Sequence, residues 1–352
     1  MPFTSGQISR RDVLATVDSA PVALLKRAGA IPMGVTNTPE LCMWCESNNH
    51  LHGVTCNPYG LDRIPGGSSG GEGSILGGAG AVIGIGSDIG GSIRIPCFFN
   101  GVFGHKTTPG VVPMENHYPS PSGRQAEYCS GGPMCRYAED LLPMLRVMAG
   151  PNAHLLSLDR KVDLKTLRFF TVPHDGGSVF TYPVSRELID VQRKTPTPFS
   201  EMLGEPGQPV WPVWELLKWT VGKSEHTMAA IGLGLMEMAR GTKPSAFIMQ
   251  QKEKLQKEMD ELLGTDGVFL YPSHPRVAPK HHHLLFRASD CAYTGVLNIL
   301  GLPVTQCPLG LSREGLPMGL QVGAGKLQDR LTLEVALYLE KAFGGWRDPG
   351  AD

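Results

Sequence analysis

Apolar positions along this chain recur in two rhythms, one helical and one strand-like. "DSAPVALLKRAGAIPMGVTN" starts with the helical one: Asp18 or Ser19 caps it, Pro21 suits its first turn, and Gly29 ends it before the strand-like "IPMGVT". "CMWCESNNHLHGVTCNPYG" is polar and turn-rich and reads as a long loop. Residues 71–80 are small and suit a tightly packed helix. "AVIGIGS" at 81–87 is apolar enough for a buried strand, and "DIGGS" turns the chain into "IRIPCFFNG". "MCRYAEDLLPMLRVMAG" carries apolar residues at helical spacing up to Gly150, and "LRFFTV" reads as a strand. From Pro173 to Gln208 the sequence is polar and proline-punctuated, a loop or a peripheral subdomain. Helix resumes in "WELLKW" and "EHTMAAIGLGLMEMAR", and "AFIMQQKEKLQKEMDELLG" is a long amphipathic helix closed by Gly264. "GVFLYPSHP", "LPVTQCPLG" and "PMGLQVGAG" give three more strands, and "DRLTLEVALYLEKAFGG" a terminal helix. Mostly apolar strands alternating with helices predict an α/β fold, a sheet covered by helices on both faces.

Composition narrows the function classes. A formal net charge of -1 over 352 residues leaves no basic excess for a nucleic-acid surface. A chain this long builds a core without disulfides, and its eight cysteines show no regular framework, so reduced thiols are expected. Cys42 and Cys45 form a CxxC without the second pair that a structural zinc site needs, and they read as unrelated thiols. The run His281 to His283 reads as an exposed loop, because three adjacent imidazoles cannot all face one ion. No metal or cofactor is expected. No apolar run reaches the roughly 18 to 20 residues of a membrane span, so the chain by itself is expected to be cytoplasmic.

"GGSSGGEGSILGGAGAVIGIGSDIGGSIRIP", Gly66 to Pro96, sets glycines and serines beside buried apolar residues. Each interior helical glycine costs about 1 kcal/mol relative to alanine, so something needs that bare backbone. Strand, glycine turn and helix N-terminus in this order expose backbone N–H groups at the end of a sheet. The spacing excludes two nucleotide readings, since neither GxGxxG nor GxxxxGK[ST] occurs. GxSxG does occur at 67–71, with Ser69 central, but a loop rather than a strand precedes it, against a nucleophile elbow.

"GGSSGGEG" followed by "GSDIGGSIRIPCFFNGVFGHKTTPG" resembles the signature of the amidase signature family, serine hydrolases with a Ser–Ser–Lys triad. "AGAIPMGVTN", "CRYAEDLLPML", "DGVFLYPSHP", "LGLPVTQCPLG" and "GLPMGLQVGAG" extend the resemblance over most of the chain, nearest the branch that hydrolyses fatty-acid amides. The resemblance implies the amidase signature fold, a mixed twisted sheet in a single domain over 1–352, incomplete at its N-terminus. It implies Ser92 as nucleophile, Ser68 after a cis peptide as bridging serine, and the N–H groups of Ile89, Gly90, Gly91 and Ser92 as an oxyanion hole. Ser69, Asp88 and Arg94 become structural support, and Cys42 and Met43 match acyl-pocket positions. Lys106 matches a family lysine that is not the catalytic one. The implied reaction takes primary amides and N-acylethanolamines to fatty acid and amine through an acyl-enzyme. Implied partners are a small lipid amide, a membrane or lipid-droplet surface and a second copy in a homodimer.

Two departures qualify this. The family's catalytic lysine lies in a "PFTVKE"-like segment upstream of "AGAIP", whereas "MPFTSGQISRRD" aligns with a later family stretch, so that lysine is not expected among these residues. The stretch between Leu188 and Trp214 is shorter than the family's. A non-catalytic relative that binds acyl amides is the alternative reading.

Overall fold

The computed structural model describes residues 1–171, 224–227, 246–286 and 288–350. A short ladder of β1 (Asn48–Asn49) and β2 (Gly53–Val54) stands apart from the main sheet. Among the described residues the main sheet has seven strands: β3 (Ile83–Asp88), β4 (Phe103–Lys106), β5 (Ser130–Cys135), β6 (Arg168–Thr171), β7 (Gly267–Pro272), β8 (Val304–Leu311) and β9 (Pro317–Ala324). Their order is β3-β5-β4-β8-β9-β7-β6, and every neighbouring pair is antiparallel except β7 and β6. The sheet is therefore mixed, as expected.

Among the described residues the α-helices are α1 (Ala20–Arg27), α2 (Gly70–Gly77), α3 (Arg94–Phe99), α4 (Arg124–Tyr128), α5 (Leu141–Ala149), α6 (Ala246–Leu263), α7 (Ala292–Ile299) and α8 (Asp329–Phe343). Strand alternation sorts the side chains onto two covered faces. On one, Phe103, Cys135, Val268, Cys307 and Val322 join Leu141 and Leu145 of α5 and Leu331 and Val335 of α8 in the largest core. On the other, Met134 packs with Ile93, Leu76 and Cys97, while Val304 packs with Leu263 and Leu297. This second face carries the serine-bearing turns.

Several local expectations need correction. "IPMGVT" forms no strand, and Ile31, Met33 and Val35 are 86%, 77% and 62% exposed, because among the described residues no neighbouring strand completes a ladder with it. The helix expected over 71–80 is shorter, and Gly78 caps its end. In "MCRYAEDLLPMLRVMAG" only α5 is α-helical; Met134 and Cys135 close β5, and Pro143 sits in the first helical turn, which tolerates it. Cys45 is bonded to Cys291 across 246 positions, so the expectation of reduced thiols fails for those two, while Cys42 is free and unrelated to Cys45. Cys45 and Cys291 pack on one cluster with Ile95 and Phe99, which brings their loops together. The loop expected over 173–208, the helix of "WELLKW" and all but the first three residues of the helix over 225–240 lie outside the described residues. Among the described residues no helix is long and apolar enough to cross a membrane, and no group of three His, Cys, Asp or Glu is arranged to hold a metal ion.

Candidate active site

β3 ends at Asp88, and the chain turns through Ile89, Gly90, Gly91, Ser92 and Ile93 into α3. Asp88 organises that turn. Its Oδ1 accepts from Gly91 N at 2.8 Å and its Oδ2 from Ile93 N at 3.0 Å. Arg94 grips the same carboxylate, Nη2 to Oδ1 at 3.0 Å and Nε to Oδ2 at 3.1 Å, with both side chains fully buried. The other Arg94 hydrogen bonds go to Thr294 O at 3.0 Å, Gln321 Oε1 at 2.8 Å and Asn298 Oδ1. Burial by itself would push the Asp88 carboxyl up; the adjacent Arg94 charge and hydrogen bonds outweigh it and hold the group well below the usual carboxylate range.

Gly91 has no substitute in this turn. Its φ is +127°, and a Cβ there would lie 2.1 Å from Thr294 Oγ1, which donates to Gly90 O at 2.6 Å. The Asp88 bond also changes one expectation. Gly91 N–H is spent on Asp88 and cannot serve an oxyanion, whereas the N–H groups of Ile89, Gly90 and Ser92 have no acceptor among the described residues.

The second serine segment lies against this turn. The Gly67–Ser68 peptide is cis, and Ser69 N donates to Ser92 O at 3.1 Å, tying the two segments together. Behind them the 44–46 backbone passes so close to Gly67 that a Cβ would sit 2.4 Å from Trp44 O. Ser47 Oγ donates to Gly66 O and Ser68 O and accepts from Gly70 N, which fixes the loop before α2.

Ser92 and Ser68 open into one cleft of about 420 Å³, counting its space open to solvent. Leu41, Cys42, Met43, Ile89, Ser87, Gln125 and Cys129 help line it. Of the residues singled out in the sequence, the cleft thus gathers Ser92, Ser68, Ile89, Cys42 and Met43. Gly90 and Gly91 shape the turn without lining the cleft, and Asp88 and Arg94 brace it from beneath. Ser69 does not line the cleft and precedes α2 without a strand before it, which removes the elbow reading.

The Cys42 thiol contacts the hydroxyls of Ser5 and Ser68. Burial pushes it up, and pushes Cys129 up to about 12, so both remain thiols beside the serines. His117 also lines the cleft; its Nδ1 bonds Pro119 O at 2.8 Å, and since a carbonyl only accepts, the ring N–H lies there and Nε2 keeps its lone pair. Burial pushes this imidazole down, favouring the neutral form. Lys106, the last residue of β4, is fully buried and donates to Thr107 O at 3.1 Å. Burial first, then the Arg94 charge, lowers it to about 7, yet it does not line the cleft. Ser87, His117, Gln125 and Cys129 were missed from the sequence; only Ser87, beside Asp88 in "GSDIGGS", carried a signal.

The fold is shared with solved hydrolases. 6-Aminohexanoate cyclic dimer hydrolase superimposes with a TM-score of 0.74 at 22% identity, covering 99% of this chain and 82% of that one. Allophanate hydrolase of Kluyveromyces lactis gives 0.72 at 19% identity, with 97% and 60% covered. These likenesses set the class of fold, an α/β architecture with a mixed sheet that those hydrolases share. Sequence narrows it: the family model described as Amidase matches residues 1–204. Fatty-acid amide hydrolase 2-B of Danio rerio is 60% identical over 99% of this chain and 74% of its own length. Fatty-acid amide hydrolase 2 of Homo sapiens is 50% identical, with the same shares covered. The chain belongs to the amidase family and is an amidase-type hydrolase. The first of these alignments runs over 390 positions, more than this chain has, so that relative holds internal residues this chain lacks.

Proposed function

We propose that this chain belongs to an enzyme that hydrolyses fatty-acid amides, both primary amides and N-acylethanolamines, to fatty acid and amine. The observation that carries the reading is one cleft lined by Ser92 and Ser68, in a chain 60% and 50% identical to two fatty-acid amide hydrolases. Ser92 Oγ attacks the amide carbon, and its proton passes through Ser68 to a base. The resulting alkoxide accepts hydrogen bonds from Ile89, Gly90 and Ser92 N–H. Collapse expels the amine, which takes the relayed proton, and water then releases the fatty acid from Ser92. Residues 1–352 act together, since β4, inside the family-matched 1–204, is hydrogen-bonded to β8, beyond it.

The base in this reading is a neutral lysine contributed from upstream of "MPFTSGQ". Among the described residues no lysine lines the cleft; the second reading is a non-catalytic relative that binds acyl amides. Loss of a triad base on the order of 10⁴ in rate corresponds to roughly 5.5 kcal/mol. Oleamide hydrolysis by residues 1–352, beside a form extended through the lysine segment, separates the cases. The extended form is expected to be faster by about that factor. Comparable turnover would locate the base inside the cleft, where His117 has a basic nitrogen to offer. No turnover by either form would overturn the hydrolase reading.

A further inference from the structure

Gln125 lines the same cleft as Ser92 and Ser68, and it is 7% exposed. Its backbone is fixed at both ends: Gln125 N donates to Ser122 O at 3.0 Å, and Gln125 O accepts from Cys129 N at 2.9 Å. Its side-chain carboxamide makes no hydrogen bond to the described residues. Neither carboxamide atom is among the fully buried polar atoms that lack a partner, so both open to the cleft, Oε1 as an acceptor and Nε2 as a donor for a ligand. Cys129, one turn on, lines the cleft as well, so the helix α4 turns this face toward the serines.

A fatty amide brings few polar atoms into such a cleft. Its carbonyl oxygen is taken by the N–H groups beside Ser92, and its hydrocarbon chain has nothing to offer a carboxamide. Only the amine side remains. We infer that Gln125 recognises the amine side of the substrate, its Oε1 accepting the scissile amide N–H and its Nε2 donating to the hydroxyl of an N-acylethanolamine. This rests on the fatty-amide reading, and it makes Gln125 the residue that separates amides from esters of the same acid.

The test uses two ligands that differ only by N–H against ester oxygen, N-methyldecanamide and methyl decanoate, with binding measured on the non-cleaving Ser92→Ala form. That form is expected to bind the amide more tightly than the ester. Adding Gln125→Met should weaken the amide about tenfold, the worth of one buried neutral hydrogen bond, and leave the ester unchanged. Gln125→Asn, which keeps the carboxamide and withdraws it by one methylene, should lower the amide-to-ester ratio in the same direction and serves where the Met variant fails to fold. Equal weakening of both ligands would assign Gln125 to packing, and no change in either would show that water satisfies it; each overturns the proposal. Failure of the Ser92→Ala form to bind either ligand would instead sink the fatty-amide reading, and the Gln125 inference with it.

Discussion

Replacing Arg94 with Met should be among the most damaging single changes in this protein. The guanidinium is fully buried and bonds both Asp88 oxygens, Thr294 O, Gln321 Oε1 and Asn298 Oδ1. Methionine fills similar volume but leaves Asp88 as an uncompensated buried charge with three orphaned acceptors around it. Breaking a buried pair from one side costs about 3–5 kcal/mol, because the desolvation of the surviving charge is no longer offset. The comparison is Arg146→Met. Arg146 bonds Asp159 at 2.8 Å with equally good geometry, but those side chains are 45% and 88% exposed, and water replaces the lost partner, so the cost is about 0–1 kcal/mol. Urea unfolding of the three proteins at pH 7, followed by tryptophan fluorescence, measures the difference. Asp88 adds a pH signature: its folded pKa is depressed, so its contribution is present above its unfolded value near 4 and fades as pH falls below that. The stability gap between the unaltered protein and Asp88→Asn should therefore shrink below about pH 4. An Arg94→Met loss no larger than that of Arg146→Met would refute the view that this pair braces the turn.

Two further outcomes follow from neighbouring groups. Lys106 is lowered to about 7 when folded and titrates near 10.4 when unfolded, so between those values the unfolded chain binds more protons and stability gains as pH rises; the stability of the unaltered protein relative to Lys106→Met, measured by urea unfolding, should climb from pH 7 to 10, and a flat difference would contradict the buried, easily neutralised amine. Gly91→Ala should abolish labelling of the lysine-bearing form by a fluorophosphonate, since the added methyl meets Thr294 Oγ1 at 2.1 Å in a backbone with φ +127°; unchanged labelling kinetics would show that the turn yields to a side chain.

The sequence exposes strands where composition and burial agree and conceals them where they do not. "AVIGIGS", "LPVTQCPLG" and "PMGLQVGAG" are apolar and became β3, β8 and β9. β4 reads "FGHK", which no hydrophobic pattern would select, yet it is central; His105 is satisfied there by Asp329 and Thr305 on the neighbouring elements. β5 reads "SGGPMC", glycines and a proline that signal a turn, although both its neighbours pair with it. "IPMGVT" is the converse, a strand composition without a ladder partner among the described residues. In the site, the resemblance to the amidase signature is what singled out Ser92, Ser68 and Asp88, and the cleft brings the two serines together. Gln125 was not legible, since "PSGRQAEY" looks like any polar loop until folding turns it to the cleft. The diversion of Gly91 N–H to Asp88 and the pairing of Cys45 with Cys291 depend on where distant atoms meet, which spacing along the chain does not encode.

The central claim is that Ser92, relayed through Ser68, is the nucleophile of this cleft. Fluorophosphonate labelling of the lysine-bearing form, read by intact mass and peptide mapping, tests it most directly. A single adduct on Ser92 is predicted, lost in Ser92→Ala, strongly slowed in Ser68→Ala and retained in Ser69→Ala. An adduct on Ser69, or labelling that persists in Ser92→Ala, would contradict the account.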